Sequence, residues 1–270
     1  MKVVVVGGKL QGTEAVYLAK KAGWQVTLVD RHPAPLARDL CDKYIQVDVS
    51  DETAVFTKII KTADLVIPAC ENREALNALK AITAKADIPL AFDSTSYDIT
   101  SSKLKSDMLF VENHIPSPSY WPDCTVPLIV KPSDLAGSVG VKKIHDYKAL
   151  NEFNLMVGAN VGNWVIQEFL EGPSYSLEVI GCRDKILTFQ PTEIVVDEGY
   201  DCKRVIAPGD LSSQLKEELQ QIAVKLAKVL NLTGIMDIEV IYHGGKLKVL
   251  EIDARLPSQT PTAVYHSTGT

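Results

Sequence analysis

With 270 residues, 46% of them hydrophobic and 23% charged, the chain has the composition of folded soluble domains, and it exceeds the roughly 250 residues at which single cores stop growing, so two or three packed units are expected. A formal charge of −6 and a pI near 5.4 leave no broad basic surface for nucleic acid, and no apolar run approaches the roughly 18 residues that would span a bilayer. Five cysteines (Cys41, Cys70, Cys124, Cys182 and Cys202), odd in number and without a Cys-x-x-Cys pair, argue against a disulfide framework or a zinc site and fit a reducing cytoplasm.

From the N-terminus, short β-branched runs alternate with helical patterns. Val3 to Val6, Val26 to Val29, Ile45 to Val47, Leu65 to Ile67 and Leu90 to Phe92 read as buried parallel strands, and Thr13 to Lys21, Thr53 to Lys61 and Arg73 to Lys85 as crossover helices. This is a doubly wound βαβ unit. The pattern changes at Ser101: Ser102 to Glu112 reads as a helix, and the proline-rich stretch Ile115 to Pro122 suits a boundary. A strand Leu128 to Lys131, a small-residue loop Pro132 to Gly140, a helix near Asp146 to Met156 and a strand Val165 to Phe169 follow. Beyond Gly172, antiparallel strands Tyr175 to Gly181 and Ile186 to Glu193, a long helix Ser212 to Leu230 and a hairpin over Gly244-Gly245 give an α+β order. The chain stops at Ser267-Thr-Gly-Thr270 without a capped closing element, which reads as a fragment lacking a C-terminal part.

Gly7-Gly-Lys-Leu-Gln-Gly12 follows the first strand and opens a helix, where glycines permit close backbone approach and the helix N-terminus attracts anions. Asp30 ends the second strand, as in a dinucleotide fingerprint, but the spacing lacks Gly-x-Gly; a dinucleotide site, another ligand-facing loop and a structural turn all stay open. Glu71, after the fourth strand, either takes a substrate ammonium or joins Asn72 in capping the next helix. Lys131 ends a strand beside Ser133-Asp-Leu-Ala-Gly-Ser-Val-Gly140, so a fixed cation and backbone N–H donors stand together, as a triphosphate requires. Gln167-Glu-Phe-Leu-Glu-Gly172 could present backbone groups to an adenine edge with apolar contact from Phe169 and Leu170, or could be an ordinary edge strand. In the last hairpin, Glu239, Glu251 and Asp253 stand among apolar residues. Period-two alternation places Glu251, Asp253 and then Arg255 on one face, suited to magnesium, phosphate and a reacting carboxylate.

Taken in order, Val-Lys-Pro with its glycine loop, Gln-Glu-Phe-Leu-Glu-Gly and Leu-Glu-Ile-Asp-Ala-Arg-Leu resemble the ATP-grasp carboxylate–amine ligases over essentially the whole chain. Val-Gly-Gly-Lys-Leu-Gln-Gly, Lys-Ser-Asp-x-Leu-Phe and Tyr-Asp-Cys-Lys-Arg-Val are similar to a branch of that family that joins one amino acid to the side-chain amine of another. The resemblance implies a fold that is α/β and then α+β: a pre-ATP-grasp doubly wound domain over 1–98, a small central subdomain over 99–170 and a catalytic subdomain over 171–270. It implies ATP and Mg2+ as cofactors and amino acids as small-molecule substrates, and it allows a homodimer; composition adds the expectation of no nucleic-acid or membrane partner and a cytoplasmic location.

Carried residue by residue, the resemblance gives Lys103 and Lys131 to the ATP phosphates, Gly137, Ser138, Val139 and Gly140 to the loop over them, and Glu168, Phe169 and Leu170 to adenine. Glu239, Glu251 and Asp253 become metal ligands. Arg255 steadies the acyl phosphate and, with Lys131, is catalytic. Leu10, Gln11, Glu71, Glu178, Asp237, Arg255 and Ser258 contact substrate. Two departures stand out: Ser174 where many relatives carry a glutamate for ribose, and Ser102 where an acid usually precedes the first lysine. A nicotinamide oxidoreductase and a non-catalytic nucleotide-binding regulator are the rival readings.

Overall fold

A computed structural model describes residues 1–135, 137–182 and 185–269. In the first strand, β1 (Lys2–Val6), four consecutive valines are all buried, as a parallel strand covered on both faces requires. Helix α1 (Leu10–Lys21) leads to β2 (Gln25–Asp30), then β3 (Lys43–Gln46), α2 (Thr53–Ile60), β4 (Leu65–Pro68) and α3 (Arg73–Ala86). The four strands pair in parallel in the order β3-β2-β1-β4. Val3 and Val5 meet Ala15, Val16 and Ala19 of α1 on one face, while Val4 and Val6 meet Phe56, Ile60 and Leu79 of α2 and α3 on the other. The first turn is glycine-dependent: Gly7 has φ +103°, and a Cβ on Gly12 would stand 2.0 Å from the Gly7 carbonyl oxygen.

The expected fifth strand is not built. Leu90 makes a single bridge to Val66, and the chain then turns at Asp93, whose carboxylate accepts from Thr95 and Ser96 N–H to cap α4 (Ser94–Thr100). Helix α5 (Lys103–Glu112) follows.

Strands β5 (Leu128–Pro132), β6 (Lys142–Ile144) and β7 (Trp164–Glu168) form a small antiparallel sheet in the order β6-β5-β7. Helix α6 (Tyr147–Val157), capped by Asp146, seats Leu150 and Phe153 on Leu128, Val130 and Ile144. The alternate residue Lys131 points from the other face, where its ammonium reaches the Leu250 carbonyl of the large sheet.

That large sheet comprises β8 (Ser174–Cys182), β9 (Lys185–Thr188), β10 (Thr192–Val196), β11 (Cys202–Ile206), β12 (Gly234–His243) and β13 (Lys246–Asp253). The expected strand Ile186 to Glu193 is two strands, because Pro191 offers no N–H. β9 pairs with the far end of β8 and β10 with its near end. Helix α7 (Ser213–Val229) covers one face with Leu219, Ile222, Ala223, Leu226 and Ala227, a stripe at helical spacing in which each fully buried leucine is worth about 1.5 to 3 kcal/mol. The expected lack of a cap is corrected: the last described residues form α8 (Thr260–Thr268) after β13, and it is capped by Gly269 at φ +73°, whose N–H donates to the Tyr265 carbonyl. Among the described residues no helix is long and apolar enough to cross a membrane.

Candidate active site

Strand register decides which side chains the large sheet presents opposite its core. On β12, Met236, Ile238 and Val240 enter the core beneath α7, so Asp237 and Glu239 take the opposite face. On β8, Tyr175, Leu177 and Val179 enter the core and leave Ser176 and Glu178 opposite. On β13, plain alternation from Leu247 and Val249 would carry Glu251 and Asp253 into the core. A bulge prevents this: Glu239 pairs with Glu251 but Val240 with Val249, so Leu250 is an extra residue and Ile252 and Ala254 become the buried ones. The outcome is two rows across three strands. Glu178, Asp237 and Asp253 stand side by side in one, and Ser176, Glu239 and Glu251 in the next.

Facing carboxylates at cross-strand distance repel, and burial adds to the cost of charging them. Burial, then the charge of Asp237, raises Glu178 to about 8; burial, with the Asp237 and Glu251 charges, does the same to Glu239. Burial likewise lifts Asp253 to about 8 and Asp237 to about 6, against the opposing pull of Arg255. Among the described residues, both oxygens of Glu178, which is 1% exposed, and one oxygen each of Asp237 and Asp253 are buried without a well-formed hydrogen bond, the Thr260 side chain only opposing the rise at Glu178. Such a surface calls for cations.

The protein supplies some of them. Lys103, at the start of α5, pairs with Glu251 at 2.9 Å and donates to the Leu135 carbonyl at 2.7 Å. The Arg255 Nε stands 2.8 Å from Glu71 and 2.9 Å from Asp253, ion pairs off the N–H axis that leave the N–H itself without an acceptor. Glu71 also accepts from Gln11 Nε2 at 3.0 Å, while Asn72 alone caps α3 by accepting from Ala75 N–H. The capping alternative for Glu71 is therefore set aside. Lys131, 6% exposed, donates to the Leu250 carbonyl at 3.2 Å and so bridges the small sheet to the large one.

Beside Lys131, Gly137, Ser138 and Gly140 all have left-handed φ, and the Ser138 hydroxyl donates to the Tyr200 carbonyl at 2.7 Å, tying the loop to the turn between β10 and β11; Val139 is exposed. After β7, Glu168 N–H donates to Ser119 O and Phe169 N–H to Pro127 O, whereas Leu170 N–H takes no partner among the described residues. The Glu168 carboxylate accepts from Ser119 N–H and pairs with Lys248, and Lys143 stands over the Phe169 ring. A cavity of about 420 Å3 at the carboxyl ends of β1, β2 and β4 joins Leu10, Gln11, Glu71 and Ser258.

The structure therefore gathers Glu71, Glu178, Asp237, Glu239, Glu251, Asp253, Lys103, Lys131 and Arg255 about one cleft. The predicted metal triad is the exception: among the described residues no three carboxylates converge closely enough to hold an ion together, since Glu251 is turned to Lys103 and Asp253 to Arg255. Sequence reasoning missed Asp107, Glu14 on α1 beside Thr260 of α8, and Gln259, whose amide donates to Ser176 at 2.7 Å. Asp107 lies in the Lys-Ser-Asp-x-Leu-Phe segment, but nothing in the spacing of that segment, or around Glu14 and Gln259, points to a chemical role.

Residues 100–259 match a model of the ATP-grasp domain, and residues 1–75 match the C-terminal domain of alanine dehydrogenase/PNT. The 3-methyl-D-ornithine–L-lysine ligase of Methanosarcina mazei is 39% identical over 267 residues, 99% of this chain and 68% of that protein. Among solved structures, an ADP complex of N5-carboxyaminoimidazole ribonucleotide synthetase superposes with TM-score 0.80 at 16% identity, covering 94% of this chain and 70% of that one. An L-amino acid ligase from Bacillus licheniformis gives 0.75 at 17%, covering 100% and 71%. At these identities the two structures speak for the fold.

Proposed function

This chain belongs to the ATP-grasp family, and we propose that it joins the carboxylate of 3-methyl-D-ornithine to the side-chain amine of L-lysine, with ATP converted to ADP and phosphate. The observation that carries the reading is the pair of carboxylate rows on β8, β12 and β13 facing Lys131 and Lys103. Excess buried negative charge suits two cationic amino acids and a divalent metal; the lysines opposite suit a triphosphate.

In this reading the small sheet and its glycine loop cover the nucleotide, Leu170 N–H and the Glu168 carbonyl meet the adenine edge, and Lys103 and Lys131 hold the phosphates. The carboxylate substrate attacks the γ-phosphorus and becomes an acyl phosphate, whose oxygens Arg255 contacts. L-Lysine enters the cavity beside Gln11, Glu71 and Ser258, and its neutral amine displaces phosphate. Free lysine is protonated near neutral pH, so an acceptor is needed. Glu178, with both oxygens unpartnered and its pKa raised to about 8 by burial, is the better base, whereas Glu71 is held by Arg255 and Gln11.

Glu239 and Glu251, directly opposed on adjacent strands, fit a hard cation once Lys103 leaves Glu251 for phosphate, with Asp253 beside them. Bound there, Mg2+ would neutralise phosphate charge. The nicotinamide alternative is disfavoured by Asp30: its two oxygens accept Gly8 N–H at 2.6 Å and His32 N–H at 2.7 Å, so the fingerprint acid is occupied by the loop itself.

The test is ADP release with mass detection of product, using 3-methyl-D-ornithine and L-lysine against other amino-acid pairs. Amide product mainly from the named pair supports the reading; product only from a different pair keeps the ligase and removes these substrates; ATP turnover without amide would remove the ligase chemistry.

A further inference from the structure

The Lys-Ser-Asp-x-Leu-Phe segment of α5 has no part in the reaction as described above, yet one of its residues is buried and charged. Asp107 is 8% exposed; its Oδ1 accepts the Tyr120 hydroxyl at 2.8 Å, and its Oδ2 is buried with no hydrogen-bond partner among the described residues. It lies one helical turn after Lys103, so both project from the same side of α5. Lys131 is another buried charge at this seam between α5, β5 and β13, and among the described residues its ammonium donates only to the neutral Leu250 carbonyl. A buried ammonium without a counter-charge is costly. The charges facing it are Asp107 and Lys103 from α5, Glu251 from β13 and Glu239 from β12. Glu251 is already paired with Lys103, and Glu239 stands beside Glu251 on the neighbouring strand, the pair that a hard cation would take. Asp107 forms no direct ion pair with Lys131, but it is the carboxylate left to face it across this seam, its free Oδ2 buried there, and Lys131 is in turn the foremost opposing charge on Asp107.

We infer that Asp107 is a positioning residue: a buried counter-ion, oriented by Tyr120, that keeps the Lys131 ammonium charged and aimed for the nucleotide phosphates. The inference rests on the reading of Lys131 as a phosphate lysine. One helix then supplies a phosphate lysine directly through Lys103 and supports the second through Asp107. Tyr120, bridged to Gln167 of β7, ties this support to the small sheet, so the ammonium and its counter-ion keep their geometry as that sheet covers ATP.

The test is a double-mutant cycle on the full chain, reading ATP dissociation constants by calorimetry and Michaelis constants for both substrates. Asp107→Asn keeps the shape and the Tyr120 bond while removing the charge. It is expected to weaken ATP binding roughly ten- to a hundredfold, to leave the Michaelis constant for L-lysine within about twofold, and to have little further effect when added to Lys131→Met. Asp107→Glu should recover most of the ATP affinity, which a purely structural role for the site would not predict. Should Asp107→Asn not fold, Tyr120→Phe, which frees the carboxylate to rotate, is expected to weaken ATP binding severalfold with lysine again unaffected. Wild-type ATP affinity in the folded Asp107→Asn protein, or equal losses with and without Lys131, would overturn the inference. Unchanged ATP affinity in Lys131→Met alone would instead remove Lys131 from the phosphate site.

Discussion

Glu178→Gln separates what the cleft does for folding from what it does for chemistry. The native carboxyl is raised from 4.5 to about 8, first by burial and then by Asp237. A carboxyl held above its unfolded value binds an extra proton in the folded state. Its contribution to stability is therefore full below about pH 4.5 and is lost as pH rises toward 8. At about 1.4 kcal/mol per pH unit the loss could reach roughly 4 to 5 kcal/mol. Asp237 and Glu239 share the same repulsion, so about 2 kcal/mol is expected for one substitution. Glutamine never ionises. The variant should melt roughly 4 to 8 °C above the parent at pH 8 without ligands, and within about 2 °C of it near pH 5. Its turnover at pH 8 should nevertheless fall at least a hundredfold, because an amide cannot take the proton from the attacking amine. Thermal melts at the two pH values, with single-turnover amide formation, measure both. An equal melting difference at pH 5 and 8, or a variant less stable at pH 8, would refute the reasoning.

Glu71→Gln keeps the Gln11 contact but weakens the Arg255 pair, and should raise the Michaelis constant for L-lysine roughly tenfold with that for ATP nearly unchanged; equal rises would take Glu71 out of the amine site. Glu251→Gln should abolish magnesium-dependent ATP turnover and raise the metal dissociation constant measured by calorimetry, with a native circular-dichroism spectrum; normal turnover would remove it from the metal site. Gly12→Ala brings a Cβ within 2.0 Å of the Gly7 carbonyl and should cost about 2 to 4 kcal/mol in urea unfolding, and a near-neutral value would mean that the turn relaxes freely.

The parallel unit was legible because it is built from local signals: four valines in a row, glycines at the first turn, and helices at 3.6 spacing. Lys131, the glycine loop and the paired hairpin acids were legible because each sits in a short motif. Other features required the folded chain. Leu90 reads like its neighbours yet makes one bridge before Asp93 turns the chain. Glu71 could not be told from a cap until Arg255, 184 positions away, was seen beside it. Asp107 and Glu14 are single acids on helices, and only their burial sets them apart.

Leu250 gives the hairpin a property that no substitution table would show. Because side chains alternate, the polarity of everything beyond the bulge depends on whether the count of residues is odd or even. Were the strand to straighten with Leu250 drawn into the ladder, Glu251 and Asp253 would turn beneath α7 and Ile252 and Ala254 would face the cleft, although every chemical group of the site would still be in the chain. Deleting Leu250 would instead restore plain alternation with both acids still on the cleft face, and would remove the carbonyl that accepts from Lys131. Relatives that retain this chemistry should keep the bulge together with its extra residue, or lack both.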